Sequence, residues 1–396
     1  MTLSNNATLR EISEMLKEPE WLLSWRKLRQ AEALTLPHSI KHGISVSALF
    51  PETEPDFTDK VVYNVDATKG LEIYTWSEAV NQEEVVPIVK GLLESDFFPH
   101  AKDYFRAQAL SQFSSGLVVY VQPTLKEDGT FVEEKLTLDT KVGGSASADV
   151  IIVIVKSGAR FDLTTTTHGG GMGSVHSRTL VVVSEQDTVV RITEHAPITP
   201  SAMLMRTSRA IVSGNASVTW RELYMYDILI SSITDSLLIG ASARTEILQG
   251  VIGASHAEFD MDASARHIAD DTHSRIRTAG IGLDSTRILY RGLIDMKEGV
   301  HKAVGAQEAN FLALSKDATI DAIPSLDIAS NDVVCSHKLS VTHLSDGDMF
   351  YPKLRGLSDT ESRNLFIEAY FANVFTGDEH SALCNTLRDT LLQHHA

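Results

Sequence analysis

Cysteine is scarce in this chain: Cys335 and Cys384 are the only thiols among its 396 residues. Two cysteines in a chain this long do not make a disulfide framework, and reduced thiols are the expectation. Long apolar runs are lacking too. No stretch of 18 apolar residues occurs, and the opening MTLSNNATLREISEMLKEPEW is polar and mixed in charge. Neither a membrane-spanning helix nor a secretory leader is read there, so a soluble cytoplasmic setting is expected. Positive charge is in deficit, with Lys plus Arg at 35 against 52 for Asp plus Glu and a formal net charge of -17. Phosphate backbones repel such a chain, and no Lys/Arg-rich run offsets the repulsion, so nucleic acid is not an expected partner. The common catalytic signatures are missing as well: no G-x-S-x-G, H-E-x-x-H or C-x-x-C is present.

What is present is a large apolar fraction, 43%, enough for a sizeable core. Residues 6–33 show helical spacing, with Asn6 or Thr8 as candidate caps, Leu9, Ile12, Met15 and Leu16 on one face, and a break at Pro19. AKDYFRAQALSQF reads as a further helix and GLVVYVQP as the strand after it. From about residue 117 to 345 short β-rich runs follow one another, separated by Ser, Asn, Asp, Ala and Gly. A loose theme of one polar residue, then small ones, then alternating apolar positions starts at Asn215, Ser242, Asp262, Asp284 and Asp317. Spacings of this order suit solenoid coils, and the shortage of helix-length segments argues against a βαβ sheet. Pattern alone leaves a β-sandwich open. After residue 357 helix returns, with Ser358 and Glu361 as a capping box. Its apolar residues Leu365, Phe366, Ile367, Tyr370, Phe371, Val374 and Phe375 cover nearly the whole circumference, so it must be buried on more than one side.

Three constellations could carry chemistry. TTTTHGGGMGSVHS, Thr164–Ser177, is glycine-rich but has no Gly-Lys-Ser/Thr ending, and reads as a loop between coils. EFDMDASARHIADDTH gathers Asp260, Asp262, His267, Asp270, Asp271 and His273, which on paper could ligate a metal; in a strand-rich solenoid they read better as solvated faces and corner turns. The third is NDVVCSHKLSVTHL. In a strand, Cys335 and His337 point to one face, so a thiol and an imidazole could share one ion, with His343 nearby in sequence. By spacing alone the pair reads first as a structural Cys beside a surface His, with half of a metal site as the alternative.

The surrounding sequence bears on that choice. PSLDIASNDVVCSHKLSVTHLSDGDMFYPKLRGLSDTESRNLFIEAYFANVF resembles the C-terminal signature of the SufB/SufD family of iron–sulfur cluster assembly proteins. EPEWLLSWRKLRQAEALTLP is similar to the family's N-terminal helix, and GLVVYVQP with RTLVVVSEQDTVVRITEH to the opening of its β-helix. The resemblance implies a mainly β chain: a right-handed parallel β-helix core over 116–345, a mostly helical region over 1–115 and a C-terminal helical region over 346–396. It implies no catalysis by this chain, but a scaffold in the SUF system that pairs with a SufB-like protein and docks a SufC-like ABC ATPase, which hydrolyses ATP. Docking would fall on Arg355, Leu357, Leu365, Phe366, Tyr370 and Phe371. Cys335 and His337 match the Cys-x-His of SufD, and His343 is the further candidate; they would help hold a transient iron–sulfur cluster shared with the partner, none being held tightly by this chain alone. SufB's key cysteine falls at Ala318 here, so the likeness is closer to SufD. Lys338 departs from both branches and suggests attraction of an anionic sulfide-bearing intermediate. The alternatives are a self-pairing homodimer and, from another class, a β-helix carbohydrate-active enzyme using the Asp260–Asp271 carboxylates. A purely interacting role with Cys335 idle is also open.

Overall fold

The computed structural model describes residues 3–39, 43–44, 46–50, 54–197, 202–344, 346–372 and 374. The chain opens with α1 (Leu3–Met15) and α2 (Glu20–Ala33), broken at Pro19 as the sequence indicates. The first helix starts at Leu3, upstream of the caps expected at Asn6 or Thr8. Two strands come next, β1 (Val61–Ala67) and β2 (Leu71–Thr75), then α3 (Trp76–Ala79), α4 (Val86–Leu93) and α5 (Tyr104–Gln112). The strands then run without interruption: β3 (Ser115–Val121), β4 (Glu133–Val142), β5 (Ala146–Val155), β6 (Arg160–Gly169), β7 (Val175–Ser184), β8 (Val189–His195), β9 (Met203–Val212), β10 (Ser217–Met225) and β11 (Leu229–Leu238). They continue through β12 (Arg244–Gly253), β13 (Glu258–His267), β14 (His273–Gly282), β15 (Arg287–Met296), β16 (Ala303–Ala313), β17 (Thr319–Ile328) and β18 (Val333–His343). Helices α6 (Asp346–Leu354) and α7 (Asp359–Ala372) follow.

Odd and even strands sort into two sheets. One runs β1-β4-β6-β8-β10-β12-β14-β16-β18, the other β17-β15-β13-β11-β9-β7-β5-β3-β2. Only the outermost pairs, β1 with β4 and β2 with β3, are antiparallel; β10–β12, β12–β14 and β16–β18 are representative of the parallel remainder. Glu222 lies beside Gln249, and Gln249 beside Thr278, so each coil advances one strand spacing in 27 to 29 residues here. This is a parallel β-solenoid of about seven turns. β1 and β2, from the region expected to be mostly helical, close its first coil.

Alternation builds the lumen. In β4 Leu136 and Leu138 turn inward and are buried while Lys135 and Thr137 face out. β5 is buried on both faces, because α5 and its neighbours cover its outer side, and it reads as a continuous apolar run. Corners are held by positive-φ residues that need little side chain: Asp187, Asn215, Ser242, Asp271 and Asp284. They stack by backbone bonds, Asn215 N–H to Ala241 at 3.0 Å and Ser242 N–H to Asp270 at 3.1 Å. Asn215, Ser242 and Asp284 therefore mark corners as the repeat theme implies, and Asp317 lies in a turn; Asp262 is mid-strand in β13.

Helix α7 is capped as expected, Ser358 Oγ donating to Glu361 at 2.8 Å and accepting from its N–H at 3.2 Å. Its Ile367 and Phe371 pack onto the sheet through Ile252, Ile281 and Leu312, while Leu365 stays exposed.

Candidate functional site

β17 and β18 are the last strands of their sheets, so each presents one edge of unpaired N–H and C=O groups at the end of the solenoid. Pro324, which cannot donate, sits in such an edge strand, where it costs no ladder bond. The edges carry exposed apolar side chains: Ile323 (48%) and Ile328 on β17, Val334 (65%), Leu339 and Val341 on β18.

Register fixes where the Cys-x-His points. Cys335 lies beside Gly305, His337 beside Gln307 and His343 beside Ala313. Gly305, Gln307 and Ala313 are buried on the luminal side of β16, and parallel neighbours in register face the same way. Cys335 and His337 thus belong to the luminal face of the last coil, with no coil above them among the described residues. Cys335 is half-buried, packed on the lumen core beside Val333. A side chain at Gly305 beneath it would meet Ile294 Cγ2 at 2.8 Å, so the floor is closed. Removal from water pushes the Cys335 thiol up, only partly offset by the Ser336 backbone, so at neutral pH it is a thiol in the isolated chain. His337 is exposed. The two lie about 7 Å apart along the strand, near enough to share one cargo; His343, about 20 Å beyond His337, does not join them. Among the described residues no group of three or more His, Cys, Asp or Glu is arranged to hold a metal ion.

Lys338 faces the other way. Its Nζ is 3.3 Å from Glu308 Oε1 on the outer surface, so it does not approach a sulfide-bearing species beside Cys335. Ala318 is buried in the turn before β17 and offers no thiol there. Cys384 and Phe375 lie outside the described residues.

The acidic cluster is dispersed by the fold. Asp260 and Asp262 are buried rather than solvated, both bound by Arg291, with Lys102 Nζ 2.9 Å from Asp262. They fasten the outer face of β13 to the helical region. Asp271 forms a corner and His267 is buried, bonded to Thr272 and Ser274. The glycine-rich stretch is strand as far as Gly169, followed by a short turn into β7. At the C-terminal side Arg355 donates to the Tyr351 hydroxyl at 2.7 Å and lies over its ring. Tyr351, Leu354 and Leu365 are exposed, Leu357, Phe366 and Tyr370 are half-buried, and Phe371 is fully buried in the chain's own packing.

The SufBD core domain of the SUF iron–sulfur cluster assembly system matches residues 137–370, more than half of the chain and inclusive of this edge. The chain belongs to the SufBD family. It is similar along most of its length to the iron–sulfur cluster assembly SufBD family protein of Staphylococcus saprophyticus, 22% identical, with 91% of this chain and 87% of that one covered. The corresponding protein of Staphylococcus aureus strain USA300 is likewise 22% identical over the same shares. These relatives carry the family name without a SufB or SufD assignment. Among the described residues no helix is long and apolar enough to cross a membrane. One residue of the SufBD edge escaped sequence reading: Gln307, luminal and 3% exposed, beside His337 in register.

Proposed function

We propose that this SufBD protein is the SufD-type half of a cluster-assembly scaffold, contributing Cys335 and His337 to a cargo site completed by a SufB-like partner. The observation that carries the reading is the Cys335–His337 pair on the luminal side of an unpaired edge strand. A second β-helix stacked on β17 and β18 would satisfy the edge, bury Ile323, Val334, Leu339 and Val341, and bring the donors that the pair lacks. Ala318, where a SufB-type thiol would stand, favours the SufD role. His337 offers an imidazole nitrogen. Cys335 gives up its proton when iron or sulfur binds it, as ligand or as sulfur relay. The ATPase would dock on the exposed side of α6 and α7 around Arg355 and Leu365, Phe371 being committed to this chain's own core. Any cytoplasmic ATP hydrolysis would belong to that partner.

The test is co-expression with SufB- and SufC-like proteins and purification of the assembly. His337→Ala is expected to lower iron and sulfide content severalfold without dispersing the complex. Wild-type content in the variant sinks the shared-site role. Elution of the isolated chain as a stable dimer holding iron and sulfide would replace it with the self-pairing scaffold.

A further inference from the structure

Gln307 is almost wholly buried, yet only half of its amide is engaged. Nε2 donates to the Tyr290 hydroxyl at 3.1 Å, and Oε1 has no hydrogen-bond partner. Burial pushes the Tyr290 phenol up to about 12, so it is neutral at physiological pH. Room for the amide is made by Gly292: a Cβ there would lie 1.7 Å from Gln307 Nε2 and 2.6 Å from the Tyr290 hydroxyl. With the nitrogen tied down toward β15, the acceptor oxygen is left over. A buried, unengaged carbonyl oxygen is costly, and native structures keep few without a use. His337 is the register neighbour of Gln307 on the same luminal face, the two backbones one strand spacing, about 4.8 Å, apart.

The geometry points to Gln307 as the positioning residue for His337: the two are not bonded in this structure, and a turn of the exposed ring toward the lumen lets Oε1 accept one imidazole N–H, leaving the other ring nitrogen bare for the cargo. This rests on the reading of His337 as a ligand. The physical reason is general. A ligating imidazole needs one nitrogen deprotonated, and an acceptor on the other nitrogen selects the tautomer and holds the ring plane. Gln307 supplies that acceptor from the coil beneath, without adding charge to the lumen.

The experiment uses the full chain with ¹⁵N-labelled histidine, the His337 ring signals being assigned by their loss in His337→Ala. In the wild type a single ring tautomer is expected. Gln307→Met, which keeps volume but removes the acceptor, should give the two-tautomer mixture of a free imidazole. Gln307→Glu should restore the single tautomer. In the co-purified assembly, iron content should fall about tenfold with Gln307→Met and recover with Gln307→Glu. A tautomer mixture in the wild type, or an unchanged His337 signal in Gln307→Met, overturns the assignment whatever the iron content. Retention of iron by His337→Ala, with the tautomer effect present, instead overturns the ligand reading and leaves the contact standing. Should Gln307→Met fail to fold, Gln307→Asn, which withdraws the oxygen by one methylene, is read the same way.

Discussion

Lys338 Nζ lies 3.3 Å from Glu308 Oε1, its neighbour in register on β16, on the opposite face of β18 from Cys335 and His337. The pair is exposed, and such pairs contribute little to stability. Glu308 is held below the ordinary carboxylate range by Asn310 foremost and by Lys338. Lys338→Ala is therefore expected to leave cluster content of the co-purified assembly within about twofold of wild type and the melting temperature nearly unchanged, while His337→Ala does not. A drop of iron in Lys338→Ala matching that in His337→Ala would show that the lysine reaches the cargo after all.

Cys335 gives a second prediction, about reactivity. Burial raises its thiol, so little thiolate is present at neutral pH. In a Cys384→Ser background, alkylation by iodoacetamide should be slower at pH 7.5 than for a free cysteine. The rate should climb with an inflexion above about 8.5, the ordinary thiol value. Binding of a partner coil that brings cations or metal would move the inflexion down. An inflexion at or below the ordinary thiol value in the isolated chain contradicts the burial argument.

The contrast between Cys335 and Lys338 shows what was legible in the sequence. Strand alternation places 335 and 337 together from spacing alone, and the same rule puts 338 on the other face; what the sequence could not show was which face is luminal. That depends on the Gly305 and Gln307 register, set some 30 residues earlier. The corners at Asn215, Ser242 and Asp284 were readable because a left-handed backbone selects such residues. Asp262 imitates the theme but is a strand residue, since its carboxylate is paired by Arg291 and Lys102, one from the next coil and one from the helical region. β1 and β2 were hidden for a similar reason. Their partners β4 and β3 lie some 40 to 80 residues on, and their half-exposed pattern carries no apolar run.

His267 supplies a pH test of the core. Thr272 Oγ donates to the Ala269 carbonyl at 3.0 Å, so it accepts from His267 Nδ1–H at 2.7 Å, and Nε2 then accepts from Ser274 Oγ at 2.8 Å. The ring is satisfied while neutral. Burial foremost, then His273, pushes it down to about 4, against about 6.5 in the unfolded chain. With the folded value the lower one, its stabilising contribution is complete above pH 6.5 and is lost as the pH falls toward 4. The loss is on the order of 3 kcal/mol. Chemical denaturation from pH 7 to 4 should show this decline, and His267→Gln should flatten it. An equal slope in the variant assigns the decline elsewhere.

The unpaired edge itself can be closed chemically. Leu339 and Val341 are luminal residues of β18, partly exposed at the open end, and lie beside Ala309 and Phe311. A lysine at either position reaches water in the lone chain, since no described residue forms a strand above β18. Under a second β-helix the same ammonium would be buried between apolar layers without a partner, the arrangement by which natural edge strands refuse pairing. Leu339→Lys/Val341→Lys is therefore expected to fold with a melting temperature within about 4 °C of wild type. Its pairing with a SufB-like partner, read by size-exclusion chromatography with light scattering, should be lost, whereas ATPase binding, proposed for α6 and α7, should survive. Retained pairing would move the interface off β18. Loss of both interactions in a folded variant would mean that the ATPase also contacts this edge, and would overturn the division of the two surfaces.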